Sequence, residues 1–437
     1  MAMSKLIHIL SVLPNPDKKV IENLNELFSN FIWNSKTGKI SRNLLSQDYT
    51  KGGLKMIHLI SFVKALKINW VKNIVNQDEG WADIFRICIG SSTSTTLWQL
   101  DPDSLKMLAK KVVHKNPFWS NVIDAWAELV DKPKTCNDVL NFSMCQAWYM
   151  KNENLKKMQN MLVQNGCILI RDLYGDEYTP LDHATFQEKF AVRINFLDYA
   201  ALQRQVPKRW RDLITNNDSP VIEERESEFI NHLFKAPHVC SWANKIFIEK
   251  LELNENYKLK WEDRLGGIQE DWAVYNTIPL KCTKNSKLQS FQYKIIHHIL
   301  ATNRFLTLCK IKDDESCTLC RESPETIAHL LFECPVSRQL WNDFRDTIRP
   351  NLDINNWLNK RNVILGVKES DLINLLFMKV KYYIYSCKYM DMMPSIIGLK
   401  QIVKKEYVAE QHIAQGCNRL LNFHLKWNSI EQLIETW

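Results

Sequence analysis

Residues 317–334 of the chain read CTLCRESPETIAHLLFEC. In this stretch two cysteines are separated by two residues, a histidine follows after eight more, and a third cysteine follows after a further four. Two thiolates at the first spacing can reach one metal ion from a tight turn, and the later imidazole and thiolate complete the closed tetrahedral set of a structural zinc site. The spacing therefore predicts one structural zinc ion with no coordination position open for catalysis. Its predicted ligands are Cys317, Cys320, His329 and Cys334.

The residues between the second cysteine and the third predict how the last two ligands are presented. Residues 323–325 (Ser-Pro-Glu) predict an N-cap, a proline at the first helical position and an acid in the first turn of a helix. Residues five apart on a straight α-helix lie about 140° apart, so His329 and Cys334 cannot both face one metal ion from it. Pro335 resolves this conflict, because a proline disfavours the α conformation of the residue before it and so ends the helix at Cys334.

Two other interpretations of these cysteines stay open. A redox Cys-x-x-Cys pair is one, although it would leave His329 and Cys334 without a role. Incidental clustering of four core residues is the other. Cys309, eight residues upstream of Cys317, is an alternative ligand with less suitable spacing.

The composition indicates a helical protein with a packed core. Among 437 residues there are 12 Gly and 14 Pro against 15 Trp and 18 Phe. This scarcity of turn residues disfavours many-hairpin β architectures and favours long helices. Hydrophobic residues make up 45% of the chain, which is enough to build a core. No apolar run approaches the length of about eighteen residues that a membrane span needs, so we expect no membrane partner.

The cysteine usage favours a reducing compartment. The 12 cysteines are spread thinly over a long chain, unlike the dense framework of a small secreted domain. A short apolar run at residues 6–10 lacks a small-residue cleavage site, so a buried helix explains it better than a secretion signal does. We therefore expect an intracellular protein of the cytoplasm, the nucleus or both.

The charge balance permits a nucleic-acid partner without requiring one. Lys and Arg total 57 against 49 Asp and Glu, a net charge of +8. Residues 51–54 predict a turn, and the apolar pattern after them predicts a helix from Lys55 to Val75. The span 51–75 contains five lysines and no carboxylate. Such a helix could contact phosphates of a nucleic-acid backbone, and a solvated helix face is the alternative.

Several short sequence motifs occur along the chain. They are residues 11–14 (SVLP), 31–33 (FIW), 51–54 (KGGL), 61–67 (SFVKALK), 170–173 (IRDL), 206–210 (VPKRW), 291–295 (FQYKI), 300–303 (LATN) and the cysteine cluster. With these motifs the chain resembles, nearly from end to end, the C-terminal portion of the reverse transcriptase polyprotein of LINE-class (non-LTR) retrotransposons.

The resemblance implies a mainly α fold with multi-helical thumb and connector regions, a small CCHC zinc-binding module and a C-terminal helical segment. The implied segments are a thumb-like region (1–130), a connecting helical region (131–215), a linker with helices (216–285), a reverse-transcriptase zinc-binding module (286–350) and a C-terminal helical segment (351–437). The family copies element RNA into DNA at a nicked target with an upstream palm. The palm's tyrosine-centred turn ending in two aspartates, which holds paired Mg²⁺, does not occur in this sequence. We therefore expect no enzymatic activity from this chain.

The resemblance also favours nucleic-acid contact by basic residues on the predicted thumb helix and around the zinc turn. These candidates are Lys51, Lys55, Lys64, Lys67, Arg304, Lys310, Lys312 and Arg321. By contrast, we expect Trp210 in the basic segment 208–211 to be a core residue, and His297 and His298 to be core or surface residues without a metal.

The predicted function is a non-catalytic, zinc- and nucleic-acid-binding fragment that engages an RNA template, an RNA–DNA hybrid or target DNA, with no small-molecule substrate. Two alternatives stay open. The chain could be the distal part of an active RNA-directed DNA polymerase whose palm is missing from this sequence. It could also be a protein-interaction module with an architectural zinc ion.

Overall fold

The computed structural model describes residues 2–33, 38–75, 80–89, 97–130, 136–143, 161–175, 178–215, 238–266 and 272–437, and the single residues 132, 158 and 235. Helices dominate these ranges, which contain isolated β-bridges but no strand. The predicted mainly α fold class is thus confirmed. The first part of the predicted linker segment, residues 216–234, lies outside the described residues. Within the described ranges, no helix is both long enough and apolar enough to cross a bilayer.

Helices in the first half of the chain are mostly short. They are α1 (Ala2–Val12), α2 (Lys18–Trp33), α3 (Arg42–Ser46), α4 (Leu59–Val75), α5 (Gly80–Ile89), α6 (Pro102–Val112), α7 (Pro117–Leu129), α8 (Cys136–Leu140), α9 (His183–Phe190), α10 (Phe196–Gln205) and α11 (Lys208–Thr215).

The second half includes the two longest helices. Its elements are α12 (Val239–Glu249), α13 (Asn256–Leu265), α14 (Trp272–Cys282), α15 (Ser286–Ile296), α16 (Asn303–Leu308), α17 (Pro335–Ile348), α18 (Lys360–Leu365), α19 (Asp371–Met390), α20 (Ile396–Gly416), α21 (Leu420–Trp427) and α22 (Glu431–Glu435).

The chain divides into two compact units. The first comprises Met1–Lys36 and Ile57–Leu251, and the second comprises Thr37–Met56 and Glu252–Trp437. Each unit is therefore built from two stretches of sequence. The five-segment division drawn from the sequence stays a prediction.

The first unit contains separate hydrophobic cores. One is formed where α4, α6, α7 and α12 pack together, and it buries the indoles of Trp119 and Trp126 almost completely. Another lies within residues 136–214, where Trp210 packs against Phe142 with ring centroids 5.1 Å apart. The indole of Trp210 is 7% exposed. This confirms that Trp210 belongs to the core.

The start of α4 differs from the sequence prediction. The helix begins at Leu59, and Lys55 adopts a left-handed conformation with φ of 53°. The backbone N–H groups of Leu54 and Met56 both donate to the carbonyl of Leu45, and that of Lys55 donates to the carbonyl of Gln47. These bonds to a preceding segment satisfy the backbone in a turn, so the chain does not become helical until four residues later than predicted.

The second unit has one extended core centred on α19. Helices α14, α15, α20 and α21 pack against α19, as does the segment 329–333. Leu375, Val380 and Ile384 of α19 are fully buried in this core. The cysteines at 317 and 334 belong to the same cluster. The cysteine module is therefore built onto a large helical core rather than held by a metal alone.

Candidate metal centre

The four predicted ligands lie together in the second unit. Their ligand atoms all lie within 4.8 Å of one another. The Sγ atoms of Cys317 and Cys334 are 4.0 Å apart, and the Sγ of Cys320 lies 3.3 Å from the Nε2 of His329. Zinc–ligand bonds of about 2.0–2.3 Å in a tetrahedron separate ligand atoms by roughly 3.5–3.8 Å. These donors therefore fit a zinc ion in type and in spacing.

The alternative ligand Cys309 is not part of this group. Its side chain is exposed, whereas Cys317 and Cys334 are buried and Cys320 is half-buried. The metal-binding group found among the described residues contains only the four predicted positions. The prediction of these positions over Cys309 thus agrees with the geometry.

The first two cysteines are presented by a tight turn. The N–H of Arg321 donates to the carbonyl of Cys317 over 2.8 Å, and Arg321 has a φ of 60°. The N–H of Cys317 in turn donates to the carbonyl of Ser323 over 2.8 Å. This left-handed residue directly after the second cysteine reverses the chain and leaves both sulfurs on one side of the turn.

A π turn presents the other two ligands. Residues His329–Glu333 form it, closed by a bond from the N–H of Cys334 to the carbonyl of His329 over 2.7 Å. Because each turn of a π-helix takes up more residues than an α turn, the residue five positions on returns toward the face of the first. Cys334 has a ψ of 131°, outside the α region, and Pro335 starts α17. The predicted break at Cys334 is confirmed, whereas the π turn was not predicted.

The predicted helix start at residues 323–325 is wrong. Pro324 forms an isolated β-bridge with Ser316 instead. The helical turn begins after Thr326, whose Oγ1 accepts the N–H of His329 over 3.0 Å. Thr326 is therefore the residue that caps this turn, and Glu325 has a different role.

Glu325 is a fully buried carboxylate that braces the first turn. Its Oε2 accepts the N–H of Thr318, between the first two cysteines, over 2.9 Å. Its Oε1 accepts the N–H of Asn303 over 2.8 Å and forms an ion pair with the ammonium of Lys388. Lys388, on α19, also donates to the carbonyl of Ala301 over 2.9 Å. This buried network joins the turn to the central helix of the unit. The sequence did not lead us to predict this network. The signal that could have indicated it is Lys388, a lysine within an otherwise apolar part of α19.

The sulfur environment favours a thiolate at Cys334. A hydrogen bond from the Cys317 thiol, assisted by the N–H groups of Ser337 and Val336, lowers the pKa of Cys334. The same hydrogen bond, together with burial, raises the pKa of Cys317. Thiolates are the form of cysteine that binds metal, so Cys334 is the member of this pair whose environment favours metal binding.

The segment that carries this centre matches a known family. Residues 260–341 match the family described as zinc-binding in reverse transcriptase. This supports a protein related to the reverse transcriptases of retrotransposons. The matched segment runs from α13 into α17 and contains all four candidate ligands. No curated protein matches the chain.

Six of the eight predicted nucleic-acid contacts lie in the second unit and are exposed to solvent. They are Lys51, Lys55, Arg304, Lys310, Lys312 and Arg321. Lys55 forms an ion pair of 2.8 Å with Asp48, and Arg304 forms a longer one of 3.8 Å with Glu315. Neither Lys51 nor Lys55 belongs to α4, so the five lysines of the span 51–75 do not all lie on one helix. Their contact with nucleic acid stays a prediction.

The other two candidates lie on α4 in the first unit, and both have protein partners. Lys64 pairs with Glu128 at 2.6 Å. The side chain of Lys67 is fully buried, and its ammonium donates to the carbonyls of Leu10, at 2.8 Å, and Leu13, near the end of α1. Burial lowers the pKa of Lys67 to about 8. The structure corrects the prediction for Lys67, because its ammonium holds the end of α1 and is not available to a phosphate.

Lys67→Met is expected to destabilise the first unit by about 1–3 kcal/mol, because it leaves buried carbonyls without a donor. Urea unfolding followed by circular dichroism measures this change. Lys64→Met is the matched control on the same helix, and it should cost at most about 1 kcal/mol because its ion pair is partly exposed. Equal stability of the two variants would contradict the structural role of Lys67.

His297 and His298 are packed residues outside the candidate metal group. The His297 ring lies between the rings of Tyr257 and Tyr293, with centroids at 4.4 and 4.2 Å. The His298 ring stacks on Trp261 with centroids 4.1 Å apart. Burial lowers the pKa of His297 to about 4, so this ring is neutral at physiological pH. The expectation that they serve as core or surface residues agrees with this packing.

Proposed function

We propose that this chain is a non-catalytic, zinc- and nucleic-acid-binding part of a LINE-class retrotransposon reverse transcriptase, from the C-terminal portion of the polyprotein. The observation that carries the proposal is the set of three cysteines and one histidine within 4.8 Å, inside the segment that matches the reverse-transcriptase zinc-binding family. One zinc ion held by these donors would cross-link the turn at 317–320 to the π turn at 329–333. Since all four positions come from protein, the ion supplies structure and leaves no site for a substrate.

Exposed cations around this centre support nucleic acid as the partner. Arg304, Lys310, Lys312 and Arg321 flank the first turn and are exposed. A metal-stapled turn holds such cations in fixed positions, where each can replace a counterion of a phosphate backbone. The proposed role is engagement of template RNA, an RNA–DNA hybrid or target DNA, with polymerisation carried out by a palm outside this chain.

Binding to nucleic acid is expected to weaken steeply as salt is raised. Four phosphate contacts on a duplex give a logarithmic slope of about −3.6, so a fourfold rise in salt should lower the affinity roughly 150-fold. Fluorescence anisotropy with labelled RNA, duplex DNA and RNA–DNA hybrid over a salt series measures this slope.

Two results would contradict parts of this proposal. Failure to bind any of the three probes at low salt would remove the nucleic-acid role and favour a protein-interaction module. Incorporation of nucleotides by the purified chain on a primed RNA template would show that the non-catalytic assignment is wrong.

A further inference from the structure

A cleft of about 320 Å³ opens beside the cysteine module in the second unit. One wall is formed by α13, and the others are formed by residues from His298 to Leu308 and by Thr326 and Ile327. Thr326 caps the turn that carries His329, so the cleft adjoins the candidate metal centre without using its ligands. Its volume matches the lower end of the range for small-molecule sites in proteins.

Three cations line this cleft. Lys260 and Arg264 lie one turn apart on α13, and Arg304 lies on α16. Lys260 and Arg264 are exposed, and neither forms an ion pair with any residue in the described ranges. Asp263 is the one acid among the lining residues. Arg304 also pairs with Glu315 at 3.8 Å, so the cleft keeps a smaller excess of positive charge, in which Lys260 and Arg264 are the cations without an ion-pair partner among the described residues.

The charges of Arg264 and Lys260 also act on His298, which lies in the wall of the cleft. Burial, followed by repulsion from Arg264 and Lys260, lowers the pKa of His298 to about 3. The His298 ring stacks on the buried indole of Trp261, which holds it in place. Since His298 is neutral at physiological pH, it contributes a flat ring surface rather than a competing charge.

Apart from Thr302 and Thr326, the remaining lining is apolar. Phe305 is half-buried, while Leu308 is 75% exposed although it is a large hydrophobic residue. An isolated inorganic anion would gain nothing from this surface. A cationic rim beside an aromatic and aliphatic wall instead matches proteins that bind single-stranded nucleic acid, where cations follow the backbone and bases stack on side chains.

We propose that this cleft binds one nucleotide of a single-stranded nucleic acid, its phosphate held by Lys260, Arg264 and Arg304 and its base lying against Phe305 and Leu308. This inference rests on the proposed function for its choice of a nucleic-acid ligand, and it adds the residues that make the contact. Lys260 and Arg264 are absent from the contacts that the sequence predicts. The pattern of two cations four residues apart on one helix face was the signal that could have identified them.

The decisive variant is Lys260→Gln/Arg264→Gln in the full chain. It should bind a labelled 12-nucleotide single strand about 10-fold more weakly or worse at low salt, and its logarithmic salt slope should be shallower by about 0.7, the contribution of one phosphate of a single strand. The matched control is Lys189→Gln/Arg193→Gln, which also removes one lysine and one arginine that are exposed and four residues apart. It should bind as wild type does.

A second variant tests the apolar wall. Leu308→Asp would place a charge where the base is expected, and Leu308→Ser would remove the hydrophobic contact at a largely exposed position. Both should weaken binding of the single strand, and the serine variant should do so without changing the salt slope. Circular dichroism and zinc content check that each variant is folded.

The outcomes separate this inference from the proposed function. If wild-type protein binds nucleic acid and Lys260→Gln/Arg264→Gln binds equally well, the cleft assignment is wrong while the proposed function stands. The cleft assignment is also wrong if the control variant loses as much affinity, or if the double variant weakens duplex and single strand equally. If wild-type protein binds no nucleic acid at low salt, the proposed function itself fails.

Discussion

Cys320→Ser is expected to reduce the bound zinc from about one ion per chain to almost none. A serine hydroxyl is a poor zinc ligand, and three remaining donors do not close the tetrahedral site. Metal binding stabilises zinc-finger peptides by about 10–16 kcal/mol, so the turn at 317–320 should lose its fixed conformation when the ion is lost. Metal analysis of the purified protein and thermal unfolding followed by circular dichroism measure the two effects.

The chain offers a matched control for this change. Cys309→Ser alters an exposed cysteine, eight residues upstream of Cys317, that lies outside the group of candidate ligands. This variant should keep the metal and the melting temperature of the wild-type protein. Treatment of wild-type protein with a chelator should reproduce the Cys320→Ser result. Wild-type protein that carries no stoichiometric metal, together with unchanged folding of Cys320→Ser, would show that the site is not a zinc site.

We also expect the helices around the cysteine module to stay folded when the zinc ion is lost. Leu319, Leu330 and Leu331 pack into the core of the second unit beside the cysteines. Isolated zinc fingers lack such a core and unfold when the metal is removed. Here we expect the ellipticity of α19 and α20 to be retained, while the cysteine module becomes locally disordered.

Glu325→Gln is expected to cost about 3 kcal/mol of stability and to weaken zinc affinity about 10-fold. The change removes the charge that balances the buried ammonium of Lys388, and loss of one partner in a buried pair typically costs 3–5 kcal/mol. It also weakens the acceptor for the N–H of Thr318, so the turn between the two cysteines is held less firmly. Groups that orient metal ligands typically contribute 10–100-fold to affinity. Urea unfolding and competition with a zinc chelator measure the two effects.

Glu406→Gln is the control that separates the two effects. Glu406 on α20 pairs with Lys379 on α19, and both side chains are nearly buried, at 12% and 9% exposed. The same substitution at this second pair should destabilise the protein but leave zinc affinity unchanged. If Glu406→Gln weakens zinc binding as much as Glu325→Gln does, the effect is one of general stability and Glu325 does not position the turn.

Local patterns in the sequence were sufficient to predict the four residues that form the candidate metal centre. The spacing of two, eight and four residues depends on short segments, whose geometry is limited by the backbone itself. The break at Cys334 could also be predicted, because the steric effect of Pro335 acts on the adjacent residue whatever the tertiary fold. The helical class follows from the scarcity of glycine and proline, which is a property of the chain as a whole.

Predictions that depended on distant partners were less successful. Lys55 carries a helix-compatible pattern, yet hydrogen bonds to Leu45 and Gln47 hold its neighbourhood in a turn. Lys67 has the same charge as Lys64 and lies on the same helix, but only Lys67 faces the end of α1. The sequence predicted that Glu325 lies in the first turn of a helix. Its actual hydrogen-bond and ion-pair partners are 7, 22 and 63 residues away in sequence.

The sequence by itself determined the donor set of the candidate metal centre, the helix break at Cys334, and the helical character of the chain. Only the tertiary structure decided which charged residues are buried, which lysines are available to a ligand, and that Lys260, Arg264 and Arg304 line one cleft. The physical reason is that ligand spacing and proline sterics act between near neighbours in sequence. Burial and electrostatic pairing depend instead on which segments pack together, and no local pattern specifies that.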